Sequence, residues 1–416
     1  MKAWSLKQSS HAFIVPRSAF IVYSSAMRIG IDGNPLATPK TGIGHYTFEL
    51  ARELAASRPD WEVELVAPVS VEPALAAGCG AGNVPANLRA ATTPTKALRN
   101  RWWSFGLPLY AREAGLDLFH GTNYNVPIWG DCPSVVTFHD LSLLLHPETH
   151  PARLVRVMRR RLPVMIASAA RIITDSESVR REVRERLRVP SDKIVAVPLA
   201  PRRVFRPATP PETAEALARL NVAGDFVLYV GTVEPRKNLL TLVRAFDLLL
   251  RETTHRPRLV IAGGKGWLTD ELFRFVEQSG LAAHLTFTGY VSDEDLRALY
   301  TACRVCVYPS LYEGFGLPPL EAMACGAAVL ASRIPVIEET CGAAARLVAP
   351  TDAAAMARSI ADLLADDAAR AHYSRAGLAR AAEFTWARTA RLTCEVYEEV
   401  LTDWRAERDE RGAARA

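Results

Sequence analysis

The stretch Ser310-Leu-Tyr-Glu-Gly-Phe-Gly-Leu-Pro-Pro-Leu-Glu-Ala-Met-Ala-Cys-Gly326 follows an apolar, strand-like run, Arg304 to Tyr308, and passes through a glycine loop into a helix opened by Pro318 and Pro319. Strand, loop and helix in that order make one unit of a parallel α/β sheet. The amides of Phe315, Gly316 and Leu317 stand just ahead of the helix start, where unpaired N–H groups and the helix dipole favour an anion such as phosphate. Glu313 on the loop and Glu321 in the first helical turns frame that place, so the two carboxylates can grip hydroxyls at opposite ends of one ligand. An ordinary βα turn with a capping glutamate has the same local pattern, and the rest of the chain must decide between them.

Outward from this unit the alternation continues. Phe226 to Val230, Leu259 to Ala262, Leu285 to Thr288 and Ala328 to Ala331 read as further strands, and Leu239 to Leu250 as a helix. The N-terminal half repeats the pattern with strands at Ile29 to Asp32, Val63 to Ala67, Asp117 to His120, Ser134 to Phe138, Ile172 to Thr174 and Lys193 to Val197. Helical spacing appears at His45 to Ala56, Ala152 to Ala169 and Ser176 to Leu187, the first of these preceded by a glycine loop, Thr41-Gly42-Ile43-Gly44. Prolines between Pro198 and Pro211 interrupt the periodicity.

These readings predict an α/β chain of two similar domains with parallel sheets, over 27–200 and 216–383, joined by a linker at 201–215. Residues 384–416 read as a C-terminal helix returning to the first domain, and 1–26 as an extension ahead of a natural start at Met27. Ligands of such sheets bind at the carboxyl ends of the strands. Asp32, His120, His139 and Asp175 all stand at those ends in the first domain, and Gly231 and Gly289 in the second.

A chain of 416 residues is longer than one core usually supports, and 49% hydrophobic with 23% charged residues is the composition of a folded globular protein. The net charge of +5 is mild, and no aromatic-rich basic module of the RNA-binding kind is present, so nucleic acid is not an expected partner. Seven scattered cysteines make no disulfide framework, which fits a reducing, cytoplasmic compartment; Cys303 and Cys306 have a CxxC spacing but no second pair. No run approaches the roughly eighteen apolar residues of a membrane span.

Glu234-Pro235-Arg236-Lys237-Asn238 follows the strand that opens the second domain. Two cations in a helix's first turn oppose the dipole unless an anion is present, and Arg236 and Lys237 together suit a diphosphate. Asp293-Glu294-Asp295 imitates a metal-binding DxD, but it follows Ser292 at a helix start, so an N-cap and acidic first turn account for it and no metal site is expected. Lys96 to Phe105 mixes cations with Trp102 and Trp103, and Arg153 to Arg161 adds a basic helix face. Such faces can rest on anionic membranes, or can be the solvated sides of ordinary helices.

Taken together, Glu313 and Glu321 separated by seven residues around Gly-Phe-Gly-Leu, the Glu-Pro-Arg-Lys-Asn loop and the early Thr-Gly-Ile-Gly loop resemble the GT4 family of retaining glycosyltransferases, over nearly the whole chain from Met27. The resemblance implies a GT-B fold of two Rossmann-like domains, their sheets facing across a cleft, with the acceptor bound mainly by the first domain, a nucleotide-sugar by the second, and neither metal nor cofactor. By resemblance Arg236 and Lys237 hold the diphosphate and Glu313 the transferred sugar. Phe315, Gly316 and Leu317 offer amides, Glu321 holds the ribose, and Tyr290 and Val291 lie against the base. Gly42 and Gly44 let the first-domain loop approach the phosphates, Gly231 ends a strand beside them, and His139 matches a histidine near the sugar. Asp32, His120 and Asp175 are acceptor-side candidates. Some relatives carry Arg after the strand-end glycine where this chain has Thr232, which shifts the diphosphate charge onto Arg236 and Lys237.

The expected function is transfer of a sugar from a nucleotide-diphosphate donor, GDP-mannose first and a UDP-sugar second, to a glycan or lipid-linked acceptor in surface polysaccharide synthesis. Peripheral contact with the inner face of the cytoplasmic membrane fits that acceptor. The alternatives at this stage are a nucleotide-sugar 2-epimerase on the same fold and a non-catalytic nucleotide-sugar-binding module.

Overall fold

The computed structural model describes residues 26–37, 42–77, 84–92 and 101–414. Residues 1–25 of the expected extension, Thr41, Cys79 and the Lys96 to Asn100 part of the basic stretch lie outside them.

Two parallel sheets form, as the alternation predicts. The first contains β1 (Met27–Asp32), β2 (Trp61–Ala67), β3 (Leu88–Thr92), β4 (Leu118–Gly121), β5 (Ser134–Phe138), β6 (Arg171–Thr174) and β7 (Ile194–Ala196), ordered β3-β2-β1-β4-β5-β6-β7. The second contains β8 (Phe226–Val230), β9 (Arg258–Ala262), β10 (Leu285–Gly289), β11 (Val305–Tyr308), β12 (Val329–Ser332) and β13 (Arg346–Val348), ordered β10-β9-β8-β11-β12-β13. β3 and β13 escape sequence reading because each is short and apolar in only part of its length. The central strands carry near-continuous apolar runs because helices cover both faces, and β5, for example, is buried at every residue.

The order reverses between β1 and β4 in the first sheet and between β8 and β11 in the second. At these switch points the loops leaving neighbouring strands diverge and leave a crevice. The loops after β8 and β11 therefore lie side by side, tied by Leu311 N–H donating to the Arg236 carbonyl at 2.9 Å and by Asn238 Nδ2 donating to the Pro309 carbonyl at 2.9 Å.

Two local expectations need correction. The helix expected from His45 begins at Gly42 and runs Gly42–Ser57. Gly42 and Gly44 thus lie in a first helical turn, where amides need no intrahelical partner, rather than on a free loop. The stretch read as a 201–215 linker is irregular only to Thr209; Pro210 then opens a helix, Pro210–Arg219, held by a capping box between Thr209 and Glu212.

The last helix, Trp386–Ala413, buries Trp386, Ala390, Thr393, Tyr397, Val400 and Leu401, a stripe of helical period, and it packs on the Gly42–Ser57 helix. The Tyr397 ring stacks on Trp61 at 6.1 Å, Thr389 Oγ1 donates to the Pro198 carbonyl at 2.7 Å, and Arg171 pairs with Asp403 at 2.8 Å. The chain's end thereby returns to the first domain.

Candidate functional site

In the second domain, Gly316 takes φ +94°, and a Cβ there would stand 2.7 Å from Ile337 Cδ1, so only glycine makes this entry into the Leu317–Ala324 helix. Phe315 is buried edge-on against Phe384 at 5.8 Å, which anchors the loop. Glu313 then points back under the loop. Its Oε1 accepts from Lys237 Nζ at 2.7 Å and its Oε2 from Arg236 Nη1 at 3.0 Å. Arg236 Nη2 donates to Glu234 at 2.8 Å, and Lys237 Nζ also reaches the Tyr308 hydroxyl at 3.1 Å.

Burial pushes the Glu313 carboxyl upward, but Lys237 and Arg236 outweigh it and hold the pKa at about 2, so the carboxylate is ionised throughout the physiological range. Lys237 is pushed below its ordinary value by burial, with Glu313 opposing. The anion that two adjacent cations demand is thus, in this structure, the protein's own: Glu234 and Glu313 face Arg236 and Lys237. Arg236 Nε is buried without a partner among the described residues.

Glu321 is buried and accepts from Arg202 Nε at 3.0 Å. Arg202, in the connection between the domains, also donates to Asp293 at 2.7 Å and reaches His45 Nε2 at 3.1 Å. Periodicity could not have found this residue, since three separate segments supply its partners. Asp293 belongs to an acidic first turn capped by Ser292, whose Oγ accepts from Asp295 N–H at 3.1 Å, as the N-cap reading expects. Among the described residues no group of three or more His, Cys, Asp or Glu side chains is gathered as a metal ion would need.

Tyr290, directly after β10, is 76% exposed, with Val291 half-buried beside it. Gly231 ends β8 with φ +147°, and Gly263 packs against it so closely that a Cβ on Gly263 would lie 2.1 Å from the Gly231 carbonyl oxygen. Gly42, by contrast, would meet nothing within 4 Å if it carried a Cβ, so close packing does not demand glycine there in this arrangement.

In the first domain, His139 follows β5 and sits between two acceptors, Asp175 Oδ2 at 2.8 Å from Nδ1 and the Thr122 carbonyl at 2.7 Å from Nε2. Both ring nitrogens must donate, which describes an imidazolium. Burial opposes that charge, but Asp175 raises the His139 pKa above its ordinary value. Asp175 Oδ1 is buried and without a partner among the described residues. Asp32, at the end of β1, accepts from Asn34 N–H at 3.0 Å and Asn34 Nδ2 at 2.7 Å, and burial pushes its carboxyl up to about 7.

His120 is corrected as an acceptor-side candidate. It is fully buried, with Nδ1 at 2.6 Å from the Tyr397 hydroxyl and Nε2 at 2.8 Å from Thr137 Oγ1, and burial pulls its pKa down to about 3. Strand-end position suggested a site residue, but the returning C-terminal helix covers it.

The two halves meet directly. A Cβ on Gly314 would lie 1.8 Å from the His139 carbonyl oxygen, and the Gly314 carbonyl accepts from Ser176 Oγ at 2.8 Å. The Tyr312 hydroxyl accepts from Leu141 N–H at 2.9 Å and donates to Glu182 at 2.6 Å. Glu339 of the second domain accepts from Glu177 N–H at 2.7 Å and from Ser178 N–H at 2.9 Å, at the start of the first-domain helix Glu177–Leu187. His139, Asp175, Glu313, Arg236 and Lys237 are thereby gathered along one seam; Tyr312, Ser176, Glu339 and Arg202 belong to it too, although sequence reading passed over them.

Residues 215–380 match the family model of group 1 glycosyl transferases, and residues 40–200 that of Glycosyltransferase Family 4. The O-antigen chain mannosyltransferase B of Escherichia coli is 35% identical over 386 residues, 89% of this chain and 100% of that protein. The serotype-specific mannosyltransferase WbdA of the same organism is 34% identical over 294 residues, 68% of this chain but 36% of that longer protein. Among solved structures, a sucrose-phosphate synthase from Thermosynechococcus elongatus superimposes with a TM-score of 0.71 at 24% identity, covering 91% of this chain and 100% of that one.

Proposed function

The chain belongs to glycosyltransferase family 4, and on that premise we propose that it transfers mannose from GDP-mannose to a glycan or lipid-linked acceptor in surface polysaccharide synthesis, retaining the anomeric configuration without a metal. The names of its mannosyltransferase relatives support the choice of sugar. The observation that carries the reading is the ionised Glu313 clasped by Lys237 and Arg236 beneath the amides that open the Leu317–Ala324 helix.

A donor diphosphate entering there takes hydrogen bonds from the helix-start amides and draws Arg236 and Lys237 toward its oxygens. Glu313, released in part, accepts from a hydroxyl of the sugar. As the bond between the anomeric carbon and the diphosphate breaks, negative charge grows on the leaving oxygen, which is where the two cations and the helix dipole act. In the first domain, Asp175, held by His139, and Asp32, held by Asn34, are both buried, so neither is presented as an exposed carboxylate nucleophile. Attack on the same face therefore suits the site: the acceptor hydroxyl forms the new bond, and its proton passes to the departing phosphate oxygen. The His139 imidazolium can turn an N–H from the Thr122 carbonyl to a sugar oxygen.

A panel of nucleotide-sugars tests this, read as thermal protection, slow hydrolysis and the anomeric form of the product by NMR. GDP-mannose is expected to protect and to give an α-linked product. Protection by a UDP-sugar alone would move the donor, protection by none would sink the assignment, and release of free epimerised sugar would favour the epimerase.

We place the enzyme in the cytoplasm, peripheral to the inner face of the membrane. No helix among the described residues is long and apolar enough to cross a membrane. The first domain does expose Phe105, Ile128 and Trp129 together with Leu154 and Val157 of the basic helix Ala152–Ser168, the aromatic and cationic mixture that anionic bilayers attract. Flotation with anionic vesicles should carry the protein, and the Phe105→Ser, Trp129→Ser double variant should stay in the soluble fraction. Equal flotation of both would remove this contact.

A further inference from the structure

The helix Ala152–Ser168 contains five arginines and no acidic residue. Arg156, Arg159 and Arg160, at i, i+3 and i+4, share one face and line a hollow of about 370 Å³ with Pro147, Ala152 and Val155. The hollow is open to solvent, and all three arginines are exposed. None of the three donates to a carboxylate among the described residues. Some other helix arginines do pair with neighbouring acids, as Arg180 with Glu177 at 3.2 Å and Arg184 with Glu185 at 3.1 Å. The nearest acid in sequence, Glu148, turns instead toward His146 at 3.5 Å.

Three like charges on one face, around the middle of a 17-residue helix, repel one another. An anion in the hollow relieves that repulsion, and guanidinium forks suit phosphate oxygens. The hollow also adjoins the seam between the domains. Pro147, in its wall, lies between His146, whose ring meets Tyr312 at 5.0 Å, and Thr149, whose carbonyl accepts from Trp267 Nε1 at 2.7 Å.

We propose that Arg156, Arg159 and Arg160 form a second anion site, on the acceptor side of the seam, for a phosphate or diphosphate group carried by the acceptor. The assignment to the acceptor rests on the glycosyltransferase reading; the anion site itself does not. The site selects acceptors bearing phosphate near the sugar that receives the transfer, and it is separate from the donor cations at Arg236 and Lys237.

Titration calorimetry with inorganic pyrophosphate tests the site in the full chain, comparing the native protein, Lys237→Ala and the triple variant R156Q/R159Q/R160Q. The native protein should show two classes of site, and each variant one. In the triple variant the missing class should be roughly ten- to hundredfold weaker while GDP binding stays unchanged. An unchanged pyrophosphate isotherm in the triple variant overturns the proposal. Co-sedimentation with vesicles of equimolar phosphatidylcholine and phosphatidylglycerol separates the two sources of phosphate. Loss of vesicle binding with an unchanged pyrophosphate isotherm would give these arginines to the lipid surface and overturn the pocket. GDP failing to bind the native protein would count against the donor reading, while the pyrophosphate comparison would still decide this site.

Discussion

The carbonyl oxygen of His139 occupies the place a side chain on residue 314 would need: a Cβ on Gly314 would stand 1.8 Å from it. The oxygen is backbone and a Cβ is fixed by its own backbone, so neither can swing aside. Gly314→Ala should part the domains or displace the loop that carries Glu313, with each domain still folded. Turnover should fall about 10²-fold, the scale of a small misplacement at a reacting centre. Steady-state transfer and small-angle scattering check this, and native turnover would mean that the working state does not use the contact.

Lys237→Ala leaves Glu313 buried with Arg236 as its one remaining cation. Breaking a buried pair in this way costs about 3 kcal/mol, which a domain of ordinary stability survives. Sugar transfer should be lost while circular dichroism is retained; full activity in the folded variant would remove Lys237 from the donor site.

The Glu313 pKa is depressed from 4.5 to about 2, so its ion pairs contribute their full stability above about 4.5 and lose it as the pH falls toward 2. Asp32 behaves in the opposite sense. Its pKa is raised from 3.8 to about 7, so the folded state holds a proton that the unfolded state has released, and stability falls as pH rises across that interval. Denaturant titrations from pH 3 to 8 should show Asp32→Asn flattening the upper slope and Glu313→Gln the acid slope; unchanged slopes would contradict both shifts.

Arg202→Ala should act on Glu321 without touching the diphosphate loop. The carboxylate loses the guanidinium held at 3.0 Å, and burial then favours its protonated form. A rise in donor KM exceeding the fall in kcat is expected, relieved in part by Arg202→Lys. A fall in kcat alone would show that Arg202 does not position the donor.

Tyr397→Phe removes the hydrogen-bond partner of His120 Nδ1 at 2.6 Å in a fully buried place. A stability loss of about 1–3 kcal/mol is expected, with transfer kinetics unchanged; a selective loss of acceptor binding would restore His120 as a site residue.

What local order can encode was legible from the start. Apolar runs, glycines at strand ends and Pro318 at a helix start act on their immediate neighbours, so two successive parallel sheets could be read without coordinates. The same holds for the glycine loop with Glu313 and for the Arg236–Lys237 pair, because each motif lies on a short loop directly after its strand. β3 and β13 carry little of that signal, since Leu88–Thr92 and Arg346–Val348 are short and broken by Arg89 and Arg346.

Pairing across the chain was not legible. That Glu313 balances Arg236 and Lys237 follows from β8 and β11 lying side by side, with 74 residues between the end of one and the start of the other. That His120 is sealed by Tyr397 requires a helix to return across 277 residues, and that Arg202 holds Glu321 requires two domains to meet at their connection. Sequence alone determined which residues stand at strand ends. Only the tertiary structure decided which of them face the seam and which are satisfied in the core, because burial and long-range partners arise from the packing of whole elements.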